Sequence, residues 1–132
     1  MNKHAVNYTR FLSLHSLDPK VKVGCTIFEL DTDKIIGLGY NGNPEVLPQE
    51  RDSLEAGKSG YLHAELRAAL SCKVVRNTKK EVYINLPPCE NCSKVLVELG
   101  GVVKVYYTKN PSYSLKGIEL LKNTGIEVRE YE

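Results

Sequence analysis

Apolar residues recur at a helical interval from about Ala5 to Leu17, where Val6, Leu12 and Leu14 lie among polar neighbours, and Asp18-Pro19 supplies a stop. The period then changes. Residues 21–30 (VKVGCTIFEL) and 35–40 (IIGLGY) are apolar, β-branched runs joined by a turn at Asp31 to Lys34, the pattern of a hairpin. Residues 41–60 have no period, are rich in Gly, Pro, Asn and charge, and are too long for a plain connection inside a compact domain. Loops of that length often carry function. Beyond them, residues 61–72 predict a helix, 81–86 a strand closed by Pro87-Pro88, and 89–101 a helix stopped by Gly100-Gly101. Residues 102–107 predict a buried strand, 114–125 a last helix ending at Gly125, and 126–132 a closing strand. Alternation of helix and strand from residue 61 implies right-handed crossovers between neighbouring parallel strands. With the hairpin added, the expectation is an α/β fold: a five-stranded mixed sheet between helical layers, without internal repeats.

Composition changes this picture little. A chain of 132 residues, 42% hydrophobic and 26% charged, suits a single domain over residues 1–132. Eighteen basic against sixteen acidic residues leave a formal +2, which argues against a nucleic-acid footprint and for a small-molecule partner. No run approaches the roughly 20 apolar residues of a membrane span, and residues 1–17 lack a signal-peptide core, so the expectation is an intracellular, cytoplasmic protein with no membrane partner. In a reducing compartment four cysteines do not predict a disulfide framework.

Only Cys89 and Cys92 have C-x-x-C spacing. At a helix start both sulfurs can face one way, and the helix N-terminus favours their thiolates. Taken alone, the pair also reads as a redox couple or half of a structural zinc knuckle. A closed tetrahedral site needs four protein ligands, yet the chain has no second C-x-x-C and no H-x₃₋₅-H. His63 supplies a third ligand, leaving one coordination position for water, as in catalytic zinc. Glu65, two residues on, can stand beside that position without ligating, provided both residues occupy the first turn of their helix; in mid-helix a spacing of two points them apart. The combined pattern, H-A-E at 63–65 and P-C-x-x-C at 88–92 with a strand between, is that of zinc-dependent base deaminases. Cys25, mid-strand, and Cys72, at a helix end, read as small buried hydrophobes, and His4 and His15 as surface or packing residues.

Beyond these motifs, DPKVKVGCTIF, KIIGLGYNGNP, HAELRAA, PPCENCSKVL and NTGIEV together resemble the deoxycytidylate deaminase family of the cytidine deaminase superfamily, over most of the chain. The resemblance implies a cytidine deaminase-like three-layer α/β/α sandwich, Zn2+ held by His63, Cys89 and Cys92, and hydrolytic deamination of a cytosine nucleotide, dCMP to dUMP and ammonia. It implies that Glu65 moves protons from the attacking water to the ring nitrogen and departing amine, that the Ala64 backbone holds the base, and that Asn41 contacts the sugar. Against that last role stands ordinary turn chemistry at Tyr-Asn-Gly-Asn-Pro. A phosphate needs a cation, and Arg51 ranks ahead of Lys58 and Lys109 among the loop cations. Tyr106, Tyr107 and Tyr113 are aromatics able to stack on a base or to fill the core. One departure stands out: Arg67 follows H-A-E-Leu where the family usually has Asn, and a guanidinium cannot accept a hydrogen bond. Two other readings stay open, a deaminase acting on a base in RNA or DNA, like the tRNA adenosine deaminases, and a zinc-holding module without turnover. A homo-oligomer is expected by family likeness.

Overall fold

Successive residues of the central strands turn to opposite faces of one sheet, so the chain builds two cores rather than one. A computed structural model describes residues 1–131. The elements are α1 (Lys3–Ser13), β1 (Gly24–Glu29), β2 (Ile35–Tyr40), α2 (Ala64–Ser71), β3 (Lys80–Ile84), α3 (Glu90–Leu99), β4 (Val102–Thr108), α4 (Lys116–Asn123) and β5 (Glu127–Tyr131). Glu132, included in the closing strand expected from sequence, lies outside the described residues. The sheet order is β2-β1-β3-β4-β5, with β1 antiparallel to both β2 and β3, and β3, β4 and β5 parallel. This is the mixed five-stranded sheet expected from sequence.

On one face, Cys25, Ile27, Val82, Ile84 and Val105 meet Ala64 and Ala68 of α2, Leu96 of α3 and Leu121 of α4. On the other, Phe28, Tyr83, Tyr106 and Tyr131 meet Ala5 and Val6 of α1. Helices therefore cover both faces, giving three layers. Two buried phenols of the second core are partnered: Tyr83 Oη accepts from the Asn2 backbone at 2.9 Å, and Tyr131 Oη donates to the Ile84 carbonyl at 2.9 Å. Tyr83 and Tyr106 stack at 4.7 Å. Tyr106 and Tyr107 are thus sheet residues, Tyr107 donating to Glu130 at 3.2 Å, and neither lines the cavity described below.

Among the boundaries that differ from the sequence expectation, α2 starts at Ala64 rather than Tyr61, β3 ends at Ile84 rather than Leu86, and two around Asn41 shift for one reason. Helix α1 ends at Ser13 rather than near Leu17, and β1 starts at Gly24 rather than Val21. Residues 14–23 instead wrap around Asn41, whose carbonyl accepts from Ser16 Oγ and whose side chain bonds Val21, Val23 and Asp18. Side-chain bonding has displaced both helix and ladder there.

Lys80 is fully buried, yet its ammonium donates to three carbonyls, Arg76 at 2.9 Å, Thr78 at 2.9 Å and Gly100 at 2.7 Å. It gathers the segment before β3 onto the end of α3. The glycine pair is required there. Gly100 and Gly101 have φ of 85° and 74°, and a Cβ on Gly101 would lie 3.0 Å from Lys80 Nζ and closer still to the Thr78 carbonyl.

Candidate active site

The site is built from two helix N-termini that meet on one side of the sheet. His63 is the N-cap of α2, extended at φ −73° and ψ 151°, and Glu65 follows in the first turn. That is the placement the H-A-E spacing demands. Cys89 is the N-cap of α3, its sulfur accepting from the Cys92 N–H at 3.4 Å, which turns both thiols toward α2. His63 Nδ1 stands 3.2 Å from Cys92 Sγ and 3.7 Å from Cys89 Sγ, and the three ligand atoms lie within 4.8 Å of one another. Zn–N and Zn–S bonds of about 2.0 and 2.3 Å place nitrogen and sulfur about 3.6 Å apart around a tetrahedral ion. The donor set and its spacing fit zinc.

The electrostatics agree. Hydrogen bonds from Cys92 and His63 hold the Cys89 thiol at about 4, while bonding to Cys89 and burial push the Cys92 thiol up. Cys89 thus carries a ready thiolate. The His63 imidazole is raised from its ordinary value, chiefly by its hydrogen bond with Cys89. Burial raises the Glu65 carboxyl above the usual carboxylate range, more than its hydrogen bonds and the His63 charge lower it.

His63, Glu65 and Cys89 open on a cavity of about 560 Å³, a size that suits a small-molecule ligand. Ala64 lines it at the first turn of α2, as do Asn41, Arg51 and Tyr113. Asn41 is tightly engaged: its amide donates to Asp18 Oδ2 at 3.2 Å and the Val21 carbonyl at 3.0 Å, and Oδ1 accepts from Val23 N at 2.8 Å. Only a second acceptor position on Oδ1 is left for a ligand. Arg51 is paired with Asp18 at 3.0 Å, their side chains 7% and 1% exposed, and it donates to the Ser53 carbonyl at 2.8 Å. Lys58 pairs with Glu55 at 3.4 Å, and neither it nor Lys109 lines the cavity.

Several lining residues escape sequence reasoning. Asp18 reads as a helix stop and becomes the buried hub of the cavity wall. Lys20, one residue past a proline, lines the cavity and donates to the Leu54 carbonyl at 2.7 Å. Tyr61 also lines it, with a buried hydroxyl that has no hydrogen-bond partner among the described residues. Asp18 and Lys20 belong to the DPKVKVGCTIF block, yet nothing in that block marks them as cavity residues; tertiary pairing reveals their place.

Gly117 of α4 is a further such residue. A Cβ there would lie 2.7 Å from Ser93 Oγ, 2.8 Å from the Cys89 carbonyl carbon, and closer still to the Pro88 carbonyl. The glycine lets α4 press against the turn that carries Cys89. Gly117→Ala is expected to bring the purified protein to less than about half the native zinc content and to lower stability by about 1–3 kcal/mol, the usual cost of overpacking. Metal analysis and chemical denaturation check this; full zinc content would show that the turn yields without harm.

Comparison with known proteins agrees with this geometry. Residues 4–109 match the family described as the cytidine and deoxycytidylate deaminase zinc-binding region. The chain is 32% identical to a probable deoxycytidylate deaminase of Caenorhabditis elegans over 83% of its length, and 34% identical to the human deoxycytidylate deaminase over 68%. It spans 59% of the worm protein and 55% of the human one. Among solved structures, the dCMP deaminase of cyanophage S-TIM5 in complex with dCMP and dUMP superimposes with a TM-score of 0.81 at 27% identity, covering 99% of each chain. Rib2 deaminase of Aspergillus oryzae, at 18% identity and a TM-score of 0.60, shares the fold. The motifs, the His-Cys-Cys cluster and the match over residues 4–109 together establish that this chain belongs to the cytidine and deoxycytidylate deaminase family of zinc-binding proteins.

Proposed function

We propose that the chain is a hydrolase that deaminates a cytosine nucleotide, dCMP to dUMP and ammonia. The observation that carries the reading is Glu65: 5% exposed, in the first turn of α2, lining the cavity on which His63 and Cys89 of the three-residue metal-ligand group open. His63, Cys89 and Cys92 would hold zinc, which would supply a Lewis acid able to bring the pKa of a water at the site to about 7. Glu65 does the remaining proton work, taking a proton from the attacking water and giving protons to the ring nitrogen and the departing amine. Its raised pKa suits a group that must accept and donate in one cycle. The Ala64 backbone at the cavity wall holds the base, the free Oδ1 position of Asn41 accepts from a sugar hydroxyl, and Tyr113 closes on the ring.

Support for a mononucleotide comes from the cavity volume and from the cyanophage dCMP deaminase, which the chain matches along nearly its whole length. A formal +2 argues against the strongly basic surface that RNA or DNA binding favours. The test is ammonia release by zinc-loaded protein from dCMP, CMP, deoxycytidine, dCTP and a short single-stranded oligonucleotide. Turnover confined to dCMP is expected. Preference for the oligonucleotide, or silence from the whole panel with zinc bound, would overturn the reading in favour of a nucleic-acid deaminase or a non-catalytic module.

Because Arg51 is neutralised by Asp18, Lys20 is the cation at the cavity free to meet a phosphate, with Arg51 in support. Lys20→Ala is expected to raise KM for dCMP about tenfold, the loss of one charge-assisted hydrogen bond, and to leave deoxycytidine kinetics unchanged. An equal effect on both substrates would remove Lys20 from phosphate recognition. We also propose a homo-oligomer acting in the cytoplasm. Phe11, Leu14 and Leu17 are 61%, 65% and 69% exposed around the end of α1, an apolar surface that self-association would cover. Light scattering is expected to exceed the 14.8 kDa of one chain. No described helix is long and apolar enough to cross a membrane.

A further inference from the structure

Arg67, the residue that departs from the deoxycytidylate deaminase pattern, does not line the cavity. Its side chain runs from α2 to the end of β2, where Nη1 donates to the Tyr40 carbonyl at 3.0 Å and the guanidinium lies over the Tyr40 ring, 4.9 Å from its centroid. The same Nη1 points toward Gly42, 3.4 Å from where a Cβ added to that glycine would stand. Tyr40 and Gly42 are the two chain neighbours of Asn41. On the far side of that residue, the Asn41 amide reaches Asp18, whose other carboxylate oxygen pairs with Arg51. Gly42 in turn exchanges two backbone bonds with Leu62, at 3.1 and 2.9 Å, next to the ligand His63. A guanidinium can stack on a ring and donate to a carbonyl at once; the shorter, uncharged amide usual at this position has no cation to stack.

We infer that Arg67 is a positioning residue for the nucleotide: it holds the Tyr40 carbonyl and ring on one side of Asn41, with its guanidinium close by Gly42 on the other, and so sets where the Asn41 amide and the Asp18–Arg51 pair stand on the cavity wall. This rests on the deaminase reading for its substrate, but the geometry it invokes is present without one. Ser71 provides an internal comparison. One turn further along α2, it bonds the N–H and carbonyl of Leu38 at 3.0 and 3.1 Å, bracing the same strand away from the cavity.

The experiment compares Arg67→Ala, Arg67→Lys and Ser71→Ala with the native protein in zinc content, kcat and KM for dCMP, and amide exchange at Asn41 and Gly42. Arg67→Ala is expected to raise KM about tenfold, as for one lost binding interaction, with kcat and zinc within about twofold. Arg67→Lys recovers part of that loss, since an ammonium can still donate to Tyr40. Ser71→Ala leaves KM unchanged. Exchange at Gly42 quickens in Arg67→Ala and not in Ser71→Ala. An unchanged KM in Arg67→Ala, or an equal rise in Ser71→Ala, overturns the inference. A native protein that turns over no dCMP would fail the deaminase reading instead; Gly42 exchange then decides alone, upholding the role of Arg67 if it quickens selectively and overturning it if it does not.

Discussion

Glu65→Gln is expected to retain native zinc content and fold while losing about 10³–10⁴-fold in kcat for dCMP, the upper range for a single proton carrier. The substitution is close to isosteric, so the packing of a side chain only 5% exposed is preserved. What disappears is the capacity to take a proton and give it back. The buried carboxyl already sits above the usual carboxylate range because the site disfavours its charge, so an uncharged amide is tolerated there. KM should move little, because Glu65 acts on the reacting atoms rather than on the sugar or phosphate. Steady-state kinetics alongside metal analysis separates the outcomes. Loss of both zinc and activity would mean that Glu65 supports the metal cluster itself. Retention of more than about a tenth of native kcat would assign the proton work to another group.

Asp18→Ala should cost more stability than any other substitution considered outside the metal cluster. It removes the partner of Arg51, leaving a guanidinium 7% exposed without a counter-charge, and breaking a buried pair in this way costs about 3–5 kcal/mol. The same carboxylate accepts from the Lys20 backbone at 2.8 Å and from Asn41 at 3.2 Å, so two loops come loose together. A midpoint lower by on the order of 10 °C is expected in thermal unfolding, together with a raised KM. The doubly substituted Asp18→Ala, Arg51→Met protein should recover a large part of the stability, because no uncompensated charge remains. A loss below about 1 kcal/mol would show that water screens the pair as at a surface.

The elements with a clear period were legible in the sequence, and so was the metal chemistry. The hairpin, the alternation after residue 61 and the glycine stop of α3 all follow from local rules, and they suffice for the mixed sheet. His63, Glu65, Cys89 and Cys92 were legible because each pair sits at a helix start, where short sequence spacing becomes short distance. The cavity wall was not. Arg51 ranked first among the loop cations for a phosphate; only the fold shows Asp18 beside it. The resemblance implies that Asn41 contacts the sugar, with ordinary turn chemistry as the alternative, and the structure shows that its side chain also fastens residues 18–23. Gly117 sits inside an ordinary amphipathic helix, and nothing in its neighbours announces that the Cys89 turn presses against it. These contacts join segments far apart in sequence, where no periodicity reaches.

Helix α3 bears on its two ends like a strut. At one end stand the thiol groups of Cys89 and Cys92; at the other, roughly 15 Å away for ten residues at 1.5 Å each, the Lys80 ammonium seats the Gly100 carbonyl. A cation at the C-terminus and the Cys89 thiolate at the N-terminus both oppose the helix dipole, so the rod is balanced along its length. The seat sets the reach. If Lys80 were shortened, α3 would be free to slide along its own axis, and the error would surface as an off-centre metal at the opposite end, in a protein whose site residues were all intact.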